Sequence, residues 1–272
     1  MREISVSVDT ANVIPTPGSG NKVKASFAAK YGPWALITGA SRGLGAEFAR
    51  QCAARGLNIV LIATNIALLK AQADSIQSDY GVEVKTIALD LGREDILPSI
   101  SPVTDSLEIG LLVNNAGVSQ VRPFLDHSLD QLIYQLHVNA RAGLILSRHF
   151  GRKMALRKRG GIIFLSSASA LHGTAYSANY AGTKAYNLMV AEALWYELGR
   201  YGVDVLGFMA GPTKTPGWDA NAPKPSRLVK VMDVKPAVAE ALQALGKRPS
   251  LIAGRPNRLG YFFLGKLMSR AR

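Results

Sequence analysis

Tyr180 and Lys184, in the run YAGTK, put a phenol and an ammonium four residues apart. On a helix this spacing stacks the two side chains on one face, one turn apart. A phenol ionises at about pH 10 and is a poor proton carrier near neutrality. A positive neighbour favours the phenolate and draws that value down, which makes the tyrosine usable as a general acid or base. Ser167 lies thirteen residues earlier, at the end of the apolar run GIIFLSS. At the carboxyl end of a strand its hydroxyl could hold the carbonyl oxygen that Tyr180 protonates. Ser166 competes for the place. Neighbouring side chains on a strand point to opposite faces, and the spacing to Tyr180 favours Ser167. Asn139 carries an amide that could hold a water relaying protons to Lys184. The catalytic candidates are Asn139, Ser167, Tyr180 and Lys184. A Tyr-x-x-x-Lys pair is common by chance, so its weight comes from its companions.

The first companion is a glycine-rich turn. Thr38-Gly39-Ala40-Ser41-Arg42-Gly43-Leu44-Gly45 follows the apolar run WALIT and precedes AEFARQCAAR, which reads as a helix. Glycines there permit a tight turn and close backbone approach, and the helix start offers free N–H groups and a positive dipole end to a pyrophosphate. Gly39, Ser41, Arg42, Gly43, Leu44 and Gly45 are therefore candidate dinucleotide contacts. A carboxylate at the end of the second strand would hold the ribose hydroxyls of NAD and repel the extra phosphate of NADP. Ala63-Thr64-Asn65 stands there instead, and Arg42 puts a cation inside the turn, placed for a 2′-phosphate. The expected cofactor is NADP(H) in preference to NAD, with Thr64 beside it.

Positioning these groups requires a particular framework. WALIT, LNIVLIA, VEVKTIALD, IGLLVNNAG, GIIFLSS, VDVLGFMAG and SLIAG read as seven strands. Several are continuous apolar runs, the mark of parallel strands buried on both faces. Helical patterns lie between them, including residues 128–158, opened by the capping pair Ser128 and Gln131, and residues 178–199. The stretch REDILPSISPVTD reads as short and broken by Pro98 and Pro102. Alternating strands and helices with short links predict a single-domain α/β fold, Rossmann-like and doubly wound. Its seven-stranded parallel sheet would carry helices on both faces, with ligands beyond the strands' carboxyl ends. Residues 1–29 read as a flexible extension and residues 30–272 as the Rossmann-fold domain. Residues 213–234, with three prolines, read as a loop or lid in which Trp218 could wall the substrate.

TGASRGLG at residues 38–45, Asp90, NNAG at 114–117, Asn139, Ser167, YAGTK at 180–184 and AGPTKT at 210–215 occur in this order. On these motifs residues 30–251 resemble the short-chain dehydrogenase/reductase family. The resemblance implies an oxidoreductase moving hydride between nicotinamide and a carbonyl or alcohol carbon. It also implies that Asp90 and Leu91 flank the adenine, and that Asn115, Ala116 and Gly117, with Asn114, line the adenosine side of the cleft. Tyr180 and Lys184 would contact the nicotinamide ribose, and Gly211, Thr213 and Thr215 the carboxamide or phosphates. Subunits would pair through the two long helices, as a homodimer or homotetramer. More narrowly, KYGPWALITGAS and GLNIVLIATN are similar to the branch holding 17β-hydroxysteroid dehydrogenases and very-long-chain 3-oxoacyl-CoA reductases. That implies a hydrophobic ketone, a 3-oxoacyl thioester or a steroid-like molecule, reduced with NADPH. Three features depart from the branch. Its eukaryotic members carry membrane segments, a basic residue is common where Thr64 stands, and the usual Pro-Gly after the sixth strand is Ala210-Gly211.

Composition bounds the rest. The net charge of +13 is uneven, because seven cations and no acid follow Glu240. Such a tail attracts anions, and RPNRLGYFFLGKLMSRAR, which starts at Arg255 and takes in the tail at about residues 256–272, mixes the cations with apolar residues. It could lie on an anionic membrane, cover the cleft, or meet a partner subunit. No recognition motif for nucleic acid accompanies the charge. The lone Cys52 forbids an intrachain disulfide and reads as a small packed residue. His127, His137, His149 and His172 show no metal-ligand spacing, so no metal is expected, although His172 could line the substrate pocket. The cations 152–159 suit the end of a helix. No run reaches the roughly 18 apolar residues of a membrane span, and the start lacks a secretory core. A cytoplasmic enzyme, membrane-peripheral at most, is expected. The competing readings are a cofactor-sensing or scaffold protein without useful turnover, and a peripheral lipid reductase.

Overall fold

The computed structural model describes residues 26–215 and 230–267, the side chains of 262–267 excepted. Helix α1 (Phe27–Tyr31) precedes β1 (Trp34–Thr38), α2 (Gly43–Ala53), β2 (Asn58–Ala63), α3 (Ile66–Tyr80) and β3 (Val84–Ala88). Then come α4 (Ile96–Thr104), β4 (Ile109–Asn114), α5 (Leu129–Leu136), α6 (Ala142–Arg157) and β5 (Gly160–Ser166). The chain continues through α7 (Ala178–Gly199), β6 (Val203–Met209), α8 (Val234–Ala244), β7 (Ser250–Ile252) and α9 (Arg255–Leu267). The seven strands form one sheet of order β3-β2-β1-β4-β5-β6-β7, and every pair is parallel. The order reverses between β1 and β4, which opens the ligand crevice above their carboxyl ends. This is the doubly wound single domain that the alternating pattern predicts.

All residues of β1, β4 and β5 are buried, which explains why these strands read as unbroken apolar runs. One core packs α2, α3 and α8 on one face of the sheet, through residues such as Phe48, Leu69 and Val238. The other packs α4, α6 and α7 on the opposite face, through Ile100, Phe150 and Ala191.

Two elements differ from the sequence pattern. The stretch read as broken by prolines is helix α4. Pro98 falls in its first turn, where no N–H is needed, and Pro102 gives up one hydrogen bond inside it. Ile96, Ile100 and Thr104 recur at helical spacing and are fully buried. Burying the two isoleucines contributes about 3–6 kcal/mol, which offsets the roughly 3 kcal/mol an interior proline costs. The long helix after Ser128 is interrupted by a π turn, His137–Arg141, between α5 and α6. Ser128 and Gln131 do form the reciprocal capping box at its start.

Residues 26–29, grouped in sequence with the extension, already belong to the fold. Tyr31 at the end of α1 is buried and donates to Asp204 at 2.5 Å, and Lys30 pairs with the same carboxylate. The cations ending α6 do more than face a helix terminus. Lys153 pairs with Asp105 at 3.1 Å, and Arg157 and Arg159 both pair with Glu108. Residues 1–25, Trp218 with the rest of 216–229, and residues 268–272 lie outside the described residues. Among the described residues, no helix is long and apolar enough to cross a membrane.

Candidate active site

The glycine turn leaves β1 at Thr38 and enters α2 at Gly43. Thr38 Oγ1 accepts from the N–H groups of Asn115 and Ala116 at 3.0 and 2.9 Å. Asn115 Nδ2 donates back to the carbonyls of Thr38 and Gly39 at 2.8 and 3.1 Å. The turn is thus pinned to the end of β4 across the switch point. Gly45 is where the two meet, since a Cβ there would stand 2.2 Å from Gly39 O and 2.5 Å from Asn115 Nδ2. Gly43 holds φ at +60°, which a residue with a side chain adopts only at a cost. The first amides of α2 have no helical acceptor, and a helix start of this kind is the donor set that suits a pyrophosphate. Thr215 approaches from across it, its methyl 3.3 Å from where a Gly43 Cβ would lie. This cradle fits a dinucleotide.

Arg42 precedes α2 in an extended conformation, exposed, with no cap bond from its side chain. Thr64 is exposed at the end of β2, and the Asn65 side chain is spent on capping α3. Ser41 is half-buried, and Leu44 packs against the core. Gly211 keeps φ at +64° beyond β6, although alanine precedes it. Thr213 is buried, with its hydroxyl bound to the carbonyls of Ala210 and Gly211 at 3.1 and 3.2 Å. Asp90 Oδ1 accepts from Gly92 N at 2.8 Å and from the Tyr134 phenol at 3.0 Å. The Leu91 side chain turns into the core, which leaves only its backbone for an adenine. Gly117 is displaced from its expected place. A Cβ there would meet Lys184 Nζ at 3.2 Å, so it faces the catalytic end of the crevice.

Ser167, the residue after β5, and Tyr180, in the first turn of α7, bring their hydroxyls close enough for Ser167 to bear on the ionisation of the phenol. Ser166 points the other way and donates to the Lys184 carbonyl at 2.7 Å, which ties α7 to the strand. Alternation along the strand thus separates the two serines. Lys184 Nζ lies 5.6 Å from the centre of the Tyr180 ring and donates to Leu165 O at 2.9 Å. It is buried, and burial pulls its pKa down to about 8.

Two expectations need correction. The Lys184 charge was expected to draw the Tyr180 phenol down. Burial instead raises it, and the Ser167 hydrogen bond is the group that opposes the rise. The Asn139 amide was expected to hold a relay water. Its Oδ1 accepts from Val118 N at 2.8 Å, and its Nδ2 donates to Val118 O at 2.9 Å and Thr183 Oγ1 at 3.1 Å. Both amide hydrogens are committed, so Asn139 clamps the chain after β4 against α7.

The sequence reading missed part of the site. A cleft beside Tyr180 is lined by Arg122, Phe124, His127, Tyr176 and Asn179. Arg122 N donates to Tyr176 O at 3.1 Å and joins its two walls. His172 is exposed, and His127 lines the cleft in its place. Apart from Asn179 at the start of α7, these residues come from short segments without periodicity, so no sequence signal singles them out.

A family model described as short chain dehydrogenase matches residues 33–225. A very-long-chain 3-oxoacyl-CoA reductase-like protein of Arabidopsis thaliana is 34% identical over 65% of this chain, which spans only 58% of that protein. The 7beta-hydroxysteroid dehydrogenase of Clostridium sardiniense is 29% identical over 86% of this chain and 90% of its own length. The human protein named inactive hydroxysteroid dehydrogenase-like protein 1 is 36% identical over 71% of this chain and 58% of its own. Among solved structures, one from work on 7beta-hydroxysteroid dehydrogenase stereoselectivity superposes with a TM-score of 0.85, 28% identity and coverage of 91% and 97%. A short-chain dehydrogenase from Sphingobium yanoikuyae in complex with NADPH gives 0.73, at 27% identity and coverage of 88% and 98%.

Proposed function

The chain belongs to the short-chain dehydrogenase family, an oxidoreductase family acting between CH–OH and C=O, and from that premise we propose that it is an NADPH-dependent reductase of a hydrophobic ketone. The observation that carries the reading is the contact set at the crevice. The Tyr180 phenol lies beside Ser167, and the buried Lys184 ammonium lies 5.6 Å from the centre of its ring. Bound nicotinamide supplies the hydride. The chain's own residues handle the oxygen. Ser167 donates a hydrogen bond to the carbonyl oxygen and orients it. Tyr180 gives that oxygen its proton, and its raised pKa keeps the proton on the phenol at neutral pH, as an acid requires. Lys184 offers the vacated phenolate a positive neighbour. Asn139 holds the chain after β4 in register with α7 and is a positioning residue.

NADPH is favoured over NADH by the absence of a carboxylate at Thr64 and Asn65 and by the exposed Arg42 at the cradle. The NADPH-bound relative agrees with this choice. The relatives named for 3-oxoacyl-CoA and hydroxysteroid chemistry point to a 3-oxoacyl thioester or a steroid-like ketone. A panel of such ketones, followed by loss of NADPH absorbance with NADH in parallel, tests the reading. Turnover with NADPH supports it, and binding of NADPH without turnover of any ketone defeats it.

That second outcome would favour a cofactor-sensing or scaffold protein, a reading raised by the relative named inactive. The intact set of Asn139, Ser167, Tyr180 and Lys184 argues for turnover. The apolar residues exposed on α5 and α7, Leu129 and Met189 among them, suit pairing of two subunits through these helices.

A further inference from the structure

Asn187 lies on α7, three residues past Lys184, and is only 3% exposed. Its Nδ2 donates to Asn139 O at 2.8 Å and reaches Leu165 O at 3.5 Å. Leu165 O is also the acceptor for Lys184 Nζ, at 2.9 Å. Asn139 belongs to the π turn, where the helical winding widens and local geometry depends on outside contacts. Asn187 Oδ1 is buried without a partner among the described residues. An apolar side chain of the same size would fill this position and leave no oxygen unsatisfied. The amide therefore has a role beyond packing, and what it touches shows that role. Of the two carbonyls it engages, Leu165 O holds the Lys184 ammonium, and the other belongs to Asn139, whose side-chain oxygen and the ammonium both approach Gly117.

We propose that Asn187 is a positioning residue for Lys184, fixing the Leu165 and Asn139 carbonyls so that the ammonium stays beneath the Tyr180 ring. This rests on reading Tyr180 and Lys184 as the reacting pair, and Asn187 takes no part in proton transfer itself. The groups facing the ammonium are Tyr180 on its own helix, the Leu165 carbonyl on β5, Asn139 on the π turn and Gly117 after β4. Among these, Tyr180 is the titratable one.

The test follows the Lys184 ε-carbon by NMR against pH in the full chain, with the signal assigned through Lys184→Met. Asn187→Asp puts a carboxylate beside the carbonyl that holds the ammonium. Opposite charge favours the ammonium, so the midpoint rises from about 8 by about one pH unit or more. Asn187→Leu, close in volume, removes both donated bonds, and kcat falls about tenfold while NADPH affinity stays within about twofold. An unmoved midpoint in the aspartate variant, or a leucine variant with kcat within about twofold of wild type, would overturn the proposal. Loss of the folding transition in both variants would assign Asn187 to core packing and overturn it as well. If the unaltered chain reduces no ketone, the reductase reading fails, and the lysine titration still decides whether Asn187 governs Lys184.

Discussion

Replacing Gly45 by alanine sets helix propensity against close packing. Gly45 is the third residue of α2, and propensity alone predicts that alanine would stabilise the helix by about 1 kcal/mol. The contacts predict the reverse. The new Cβ would stand 2.2 Å from Gly39 O and 2.5 Å from Asn115 Nδ2. Gly39 O is backbone and cannot step aside unless the turn parts from β4. Asn115 then loses its bonds to Thr38 O and Gly39 O, each worth about 0.5–1.5 kcal/mol. Overpacking adds about 1–3 kcal/mol. After the propensity gain is subtracted, the net destabilisation is roughly 3 kcal/mol. For a chain of this size that lowers Tm by about 6–12 °C. Because the same contact aligns the first amides of α2, NADPH affinity should also fall by about a hundredfold, or about 2.7 kcal/mol. Thermal melting and a fluorescence titration with NADPH read both quantities. A variant that melts at or above wild type and binds NADPH equally well would refute the reasoning.

Removing the Arg42 cation with Arg42→Ala should raise KM for NADPH more than tenfold (about 1.4 kcal/mol) and leave KM for NADH nearly unchanged. Equal effects on both cofactors would dissociate Arg42 from the 2′-phosphate. Burial lowers Lys184 from 10.5 to about 8, so between these values the folded chain binds fewer protons than the unfolded chain. Stability contributed by this residue therefore rises with pH across that window. Measured against Lys184→Met, wild type should gain roughly 2 kcal/mol between about pH 7 and pH 10 in denaturant melts. The comparison cancels Tyr31 and Cys52, both raised by burial, and a flat difference would contradict a buried ammonium. Met189 is 55% exposed on α7, and Met189→Glu should convert a paired species to a monomer in light scattering. A wild-type chain that is already monomeric would remove the pairing through these helices.

Residues whose role follows from spacing were legible in the sequence. The seven strands announced themselves as apolar runs because both faces of the sheet are covered, and the glycine turn because its glycines meet backbone at close range. Ser167 separated from Ser166 by strand alternation together with its spacing to Tyr180. What could not be read depends on surroundings that the chain supplies from far away. Pro102 sits inside a helix because Ile96 and Ile100 find a core to bury against. The Tyr180 phenol rises where a neighbouring cation suggested a fall, because its desolvation depends on tertiary packing. The Asn139 amide is committed to Val118 and Thr183, partners that only the fold brings to it. Asn187 looked like one more polar residue on a helix until the carbonyls of Asn139 and Leu165 appeared beside it. Leu91 is named by a motif position, yet its side chain belongs to the core.

The central claim is that the Tyr180 phenol delivers the proton while the glycine turn holds the nucleotide independently of it. Single-turnover reduction of a ketone by NADPH in Tyr180→Phe, together with a titration of NADPH binding, tests it most directly. The account predicts a rate reduced by about a thousandfold or more, with NADPH affinity within a few-fold of wild type. Turnover retained within tenfold of wild type would contradict it.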